Sequence, residues 1–281
     1  LVFGAEPDKE ESVEELMQEL NGLTGLKAVK EKVRKMMDTA MVNQKLQEMG
    51  MPAQSFGTLH MVFKGNAGTG KTTVARIIGR IYKAMGVLPQ GHLVECGRSD
   101  LVAEYVGQTA SKVKAKVKEA RGGILFIDEA YTLSNGSAND FGKEAIDTLV
   151  ADVENYRNDL MLIVAGYSRE MDQFLDTNQG LKSRLSTELI FEDYTPDEMY
   201  SILTGMLKSR GARLDGGAEA AAKEYLAVKS GGKDFGNARG VRNVVDKVLE
   251  NRNTRLAGLM RNHVELNQEL AATVVKEDFS G

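Results

Sequence analysis

The stretch Gly65-Asn66-Ala67-Gly68-Thr69-Gly70-Lys71-Thr72 satisfies the pattern G-x-x-x-x-G-K-[ST]. It follows a short apolar run, residues 59–63, and opens a helical pattern that starts at Lys71. Strand, glycine-rich turn and helix N-terminus in that order make a cradle for a polyphosphate. The glycines let the backbone wrap closely around the anion, and successive N–H groups point at its oxygens. Lys71 reaches the β- and γ-phosphates, and the Thr72 hydroxyl can ligate Mg²⁺. The bland alternative is a glycine-rich turn without a ligand, but a chance match of this length has odds of roughly one in a hundred in such a chain. Asn66, Ala67, Gly68, Thr69, Gly70, Lys71, Thr72 and Thr73 are the expected nucleotide contacts.

A second apolar run, Ile124-Leu125-Phe126-Ile127, ends abruptly in Asp128-Glu129. Burying two unpaired acids would be costly, so this strand end should open onto a site. Beside a phosphate loop, the first carboxylate suits the Mg²⁺ shell and the second suits orienting and deprotonating an attacking water. Alone, two acids after a strand are more often a solvated strand end.

Around these motifs, apolar runs at residues 59–63, 93–96, 124–127, 160–165 and 189–191 alternate with helical patterns beginning at Lys71, Ala110 and Phe141. Strand alternating with helix predicts a mostly parallel sheet covered on both faces, and runs that are apolar throughout fit strands buried on both sides. Before it, Ser12 and Glu15 form a capping box ahead of a short helix ending near Gly22, and apolar residues at threes and fours predict a helix over 26–49. The methionines of that helix read as core filler. After it, Thr195-Pro196-Asp197-Glu198 is another capping box with proline at the first helical position. From there to Arg261 only helical signals occur, and a short strand over 273–275 closes the chain. A helical second domain therefore joins the first near Tyr194.

The chain has 281 residues, 42% apolar and 27% charged, with a net charge of −4. This is the composition of a folded globular protein, without a global basic field to hold nucleic acid or an anionic membrane. Cys96 is the only cysteine, which forbids an internal disulfide and points to the cytoplasm or another reducing compartment. No run approaches the length of a membrane span, and no secretory signal opens the chain. Leu1 in place of an initiating methionine is consistent with an excised or processed chain. Lys112, Lys114, Lys116 and Lys118 spread around a helix at their two-residue spacing and read as a solvated surface. His60, His92 and His263 lack partners at metal-ligand spacing.

The phosphate loop, the 124–129 strand, Glu104-Tyr105-Val106-Gly107-Gln108-Thr109, Asn178-Gln179-Gly180-Leu181-Lys182-Ser183-Arg184 and Asn237-Ala238-Arg239 together resemble the AAA+ ATPases. More narrowly, they are similar to the CbbX/CfxQ and SpoVK-type subfamily, over residues 16–256. The resemblance implies a P-loop α/β domain at 23–194, a smaller C-terminal helical lid at 195–281, and an N-terminal segment with a short helix at 1–22. It implies that Leu23-Thr24-Gly25 lies on the adenine side. It places Glu129, Lys71 and Arg184 in catalysis, with Arg184 reaching a neighbouring subunit's γ-phosphate, and Arg239 as the lid's sensor arginine. Arg242 and Lys182 are rivals nearby, and a surface salt bridge is the plain alternative for either arginine. Thr72 and Asp128 would hold Mg²⁺. Tyr105, Val106 and Gly107 fall where the family has a pore loop that grips polypeptide. Where many relatives carry a polar sensor at the end of the fourth strand, this chain reads Ala165-Gly166-Tyr167-Ser168, leaving Tyr167 and Ser168 both open.

The expectation is an ATP- and Mg²⁺-dependent motor, a ring of six copies that remodels a protein client, without nucleic acid or membrane insertion. A nucleic-acid-acting motor of the same family and a nucleotide-switched scaffold are the alternatives.

Overall fold

The computed structural model describes residues 10–52, 59–105, 107–134, 141–232 and 235–280. They fall into two compact units: residues up to Gly65 with Gly70–Phe191, and Asn66–Thr69 with the residues from Glu192 onward.

The first unit is built on five parallel strands, β1 (Met61–Gly65), β2 (Leu93–Cys96), β3 (Ile124–Ile127), β4 (Met161–Gly166) and β5 (Thr187–Phe191), in the order β2-β3-β4-β1-β5. The expected parallel sheet is therefore present. Alternation of side chains sends successive strand residues into two different cores. Met61, Phe63, Ile124, Phe126, Ile163 and Ala165 join one cluster, whereas Val62, Leu125, Ile127, Leu162 and Val164 join the other. Helices α1 (Val13–Gly22), α2 (Lys27–Glu48) and α3 (Lys71–Ala84) cover the first face with Leu16, Leu20, Val29, Val33, Ile77 and Ile81. After the short α4 (Arg98–Leu101), helices α5 (Thr109–Ala120), α6 (Gly142–Asn155) and α7 (Ser168–Thr177) cover the second with Val113, Val117, Leu149, Val153, Met171 and Phe174. Each such aliphatic or aromatic side chain contributes roughly 1.5–3 kcal/mol on burial. A one-turn α8 (Gln179–Lys182) precedes β5.

The Ser12–Glu15 capping box forms, and α1 is clamped to α3 by Arg80, which donates to Glu19 Oε1 at 2.9 Å and grips both carboxylate oxygens of Glu11. Cys96 is buried at the end of β2, and burial pushes its thiol up to about 12, so it stays an unreactive apolar filler.

The second unit contains α9 (Pro196–Ser209), β6 (Arg213–Leu214), α10 (Gly216–Lys229), α11 (Asn237–Arg261), α12 (Gln268–Ala272) and β7 (Thr273–Val274). Thr195 and Glu198 form their reciprocal cap, with Pro196 at the first turn. Leu203, Leu207, Leu226, Val241 and Val245 make a separate core. The expectation of helix alone over 195–261 is corrected by β6, which pairs in parallel with β7. Two residues are too few for a period-two pattern to show. The chain end is fastened by Asp278, 2% exposed, whose carboxylate accepts two bonds from Arg255 at 3.0 Å each. Among the described residues, no helix is long and apolar enough to cross a membrane.

Candidate nucleotide site

In a parallel sheet all strands deliver their C-terminal ends to one edge, and here the register aligns them. Gly65 stands opposite Phe191, Lys64 opposite Gly166, and Ile127 opposite Val164. The glycine-rich loop after β1 and the acids after β3 thus leave the same edge, flanking the end of β4.

Gly65 has no room for a side chain, because a Cβ there would run into the Phe191 carbonyl and stand 2.8 Å from Phe191 Cβ. Gly68 (φ 73°) and Gly70 (φ 94°) adopt left-handed backbone, which folds the loop back onto the start of α3. No side chain caps α3, so its first-turn N–H groups are left without a side-chain acceptor, the condition under which a helix start receives an anion. Lys71 Nζ donates to Gly65 O at 2.8 Å, and Lys71 and Thr72 are half-buried. The buried Thr69 hydroxyl donates to Asn66 O at 2.8 Å and closes the loop internally.

The loop tip, residues 66–69, groups with the second unit, and its bonds explain why. Ala238 N, in the first turn of α11, donates to Gly68 O at 3.1 Å. Asn237 Nδ2 donates to Ala67 O at 3.2 Å, and the Tyr194 hydroxyl donates to Thr69 O at 3.2 Å. Burial raises the Tyr194 pKa, with the Glu198 charge adding to it, so this hydroxyl keeps its proton. Asn66 Nδ2 reaches both Asp193 oxygens at 2.9 Å. Sequence reasoning passed over Asp193, and it named Tyr194 as a domain join and Asn237 as part of a motif without giving either a contact with the loop. The one available signal was Asn237 beside Gly236 at a helix start, a pair suited to left-handed backbone.

Beyond β3, Asp128 is half-buried and Glu129 is exposed. Asp128 Oδ1 accepts from Glu129 N at 3.0 Å. Glu129 holds φ at 48°, a conformation that costs a non-glycine residue about 1–2 kcal/mol. Thr132 maintains it, donating from both N and Oγ1 to Glu129 O at 2.9 and 2.7 Å. Strain of this kind concentrates at functional sites. Tyr131 is pushed up to about 12, chiefly by burial and next by the Glu129 charge, and its ring lies 6.3 Å from that of Tyr167. Ser168 begins α7.

The other expected residues lie in distinct surroundings. Leu23, Thr24 and Gly25 form the half-buried link from α1 to α2, held by Lys30 Nζ donating to the Leu23 and Asn21 carbonyls. Arg184 follows α8 and donates from Nε to Glu154 Oε2 at 3.1 Å and from Nη1 to Gly180 O at 2.8 Å. Arg239 is exposed in the first turn of α11. Tyr105 is 68% exposed and, with Arg98, Val102, Gln108, Lys112 and Phe141, lines an open pocket of about 850 Å³. Gly107 (φ 78°) follows it, and Val106 lies outside the described residues.

Among the described residues no cluster of three or more His, Cys, Asp or Glu side chains could hold a metal. A hydroxyl and a carboxylate, Thr72 and Asp128, are instead the hard-oxygen donors at this edge. Such a pair fits Mg²⁺, which takes one or two protein ligands and completes its shell with phosphate and water.

The family model for ATPases associated with various cellular activities matches residues 61–193, and the AAA lid domain model matches residues 195–281. Stage V sporulation protein K of Bacillus subtilis is 46% identical over 87% of this chain and 76% of its own length. Protein CbbX of Cereibacter sphaeroides is 38% identical over 94% and 85%. The chloroplastic ribulose bisphosphate carboxylase/oxygenase activase of Cyanidioschyzon merolae is 40% identical over 85% and 82%. Among solved structures, the FIGL-1 AAA domain in complex with ADP is similar with a TM-score of 0.63 at 16% identity, covering 92% of this chain and 81% of that one.

Proposed function

The chain belongs to the AAA ATPases, of the CbbX, CfxQ and SpoVK type, and hydrolyses ATP; from that premise we propose that it works as a ring of six copies that remodels a protein client. The exposed Tyr105 carries the client half of this reading. An aromatic ring 68% exposed, two positions before a glycine in left-handed backbone, offers a broad, sequence-tolerant contact. The relatedness to CbbX and to a ribulose bisphosphate carboxylase/oxygenase activase supports a protein substrate, while the net charge of −4 speaks against a nucleic-acid motor.

In this reading, 23–194 is the ATPase domain and 195–281 its lid. The N–H groups of residues 66–72 cradle the phosphates, and Lys71 turns from the Gly65 carbonyl to the β- and γ-oxygens. Leu23-Thr24-Gly25 borders the adenine. Thr72 and Asp128 hold Mg²⁺, which neutralises charge on the phosphates when bound. Glu129, exposed beyond the end of its strand, would orient a water and accept its proton as the water oxygen bonds to the γ-phosphorus and the bond to the β–γ bridging oxygen breaks, releasing ADP and phosphate. Arg239 meets the phosphates bound by its own copy, and Arg184 meets those of a neighbour. A guanidinium suits both tasks because it is always charged and matches phosphate oxygens with a rigid fork.

The test is Glu129→Gln. ATP binding should persist while turnover falls by about 10²–10⁴-fold, and assembled rings should accumulate in sedimentation. Undiminished turnover would remove Glu129 from the mechanism. Clients held by that stalled ring then provide the substrate for Tyr105→Ala, which should retain ATPase activity and lose remodelling. A scaffold that only binds its partner would keep its output.

A further inference from the structure

The carboxylate of Asp193 is the centre of a side-chain network that neither the sequence motifs nor the family's general mechanism assigns. It accepts from Asn66 Nδ2 with both oxygens, and its Oδ1 also accepts from Asn237 Nδ2 at 2.8 Å. Asn237 is 6% exposed and left-handed (φ 54°), a conformation its short amide tolerates. Its Oδ1 accepts from Tyr194 N at 3.0 Å, so the one side chain holds the chain entering α9, the phosphate loop and Asp193 together. Gly68 is pressed so closely against this assembly that a Cβ would collide with Gly236 O and stand 3.0 Å from Arg239 N.

We propose that Asp193 is a positioning residue that locks the tip of the phosphate loop to the first turn of α11, and so sets where Arg239 stands relative to the bound phosphates. This rests on the reading of residues 65–72 as the ATP site. Three observations combine. Residues 66–69 belong to the same compact unit as α11. Arg239 lies two positions after Asn237, its backbone packed on Gly68. Its guanidinium is exposed and, among the described residues, bonded to no other side chain, so its aim comes from the backbone beneath it. An ionised carboxylate accepts bonds only, which suits a centre facing amide donors from two distant segments. Carrying a negative charge near a polyphosphate is unfavourable, so binding energy alone gives no reason for an acid here.

The experiment is hydrogen exchange of the full chain with and without MgATP, on wild type, Asp193→Ala and Asn237→Gly, paired with steady-state kinetics. Glycine at 237 keeps the left-handed backbone available while deleting the amide. In wild type, MgATP should slow exchange in both the 65–72 and 237–241 segments. In both variants, protection of 65–72 should remain and that of 237–241 should fall to the nucleotide-free level. Expected kinetics are a kcat about tenfold lower with KM changed less than threefold, since loop contacts persist and the arginine is misplaced. Asp193→Asn, which keeps one acceptor oxygen, should lie between. Protection of 237–241 by MgATP in Asp193→Ala equal to wild type, or loss appearing only in KM, would overturn the proposal. Absence of protection at 65–72 in wild type would instead overturn the phosphate-loop reading, and this one with it.

Discussion

Arg184 and Arg239 bring the same guanidinium into opposite surroundings. Arg184 sits after α8 in the first unit with 27% of its side chain exposed, holding Glu154 and the Gly180 carbonyl. Glu154 is itself shared, and its carboxyl is held below the usual range first by the hydrogen bond from Arg157 and then by the Arg184 charge. Arg239 stands exposed on α11 in the second unit, with only its backbone engaged. A pairing within its own chain does not bar Arg184 from serving a neighbour. Partly exposed ion pairs are worth only about 0–1 kcal/mol, less than a phosphate oxygen offers in exchange. For Arg184 the restraint is local and weak, a tether that can be swapped. For Arg239 it lies in the scaffold below, in Asn237 and Asp193, and no side chain needs to be released.

The largest expected effect that separates the two is Arg184→Ala, which should lower kcat by roughly 10³-fold, the usual worth of an arginine supplied across an interface. Mixing it with Lys71→Ala, whose own site is disabled but whose Arg184 is intact, should restore a measurable share of turnover. No restoration in mixed assemblies would place Arg184 outside the neighbour's site and break the contrast.

The next effect probes the ground beneath the Arg184 tether. His60 is buried, accepts from Leu162 N at Nδ1, and has its pKa lowered from 6.5 to about 4, first by burial. The nearby Glu154 charge raises that value and the Arg184 charge lowers it, burial being the larger effect. Because the folded chain refuses a proton that the unfolded chain accepts, stability is full above about pH 6.5 and declines as pH falls towards 4. At pH 4.5 the loss should be on the order of 2–3 kcal/mol relative to His60→Gln, read from urea unfolding of both proteins at pH 7 and 4.5. An unchanged gap between the two would mean that the ring is not held neutral.

The smallest effect belongs to Arg239→Ala, about tenfold in kcat/KM, or roughly 1.4 kcal/mol. Mixing it with Lys71→Ala should bring no recovery if, as proposed, this arginine serves its own copy. Recovery in the mixture would make the two arginines alike.

Much of this architecture was legible in the residue order. The central strands β1, β3 and β4 announced themselves as apolar runs because both their faces are covered, and the capping boxes at Ser12 and Thr195 marked helix starts because their bonds span only three residues. Pairings between distant residues were not. Lys64, buried like the rest of its strand, is tolerated because Asp172 at 2.6 Å and Glu188, more than 100 positions away, neutralise it. The left-handed backbone of Glu129 leaves no trace in composition, since glutamate has no preference for it. α7 and α8 went unmarked for want of a clear start signal.

The glycine-rich loop between β1 and α3, the acids at a strand end and the division into an α/β part and a largely helical part were written in local order. Each depends on groups within a few positions along the chain, where spacing alone dictates which atoms meet. The grouping of residues 66–69 with α11, the tether on Arg184 and the exposure of Arg239 came from packing. Asp193 and Asn66 are 127 positions apart, and no local rule relates them. Only closure of the loop against the start of a distant helix brings an amide and a carboxylate to 2.9 Å.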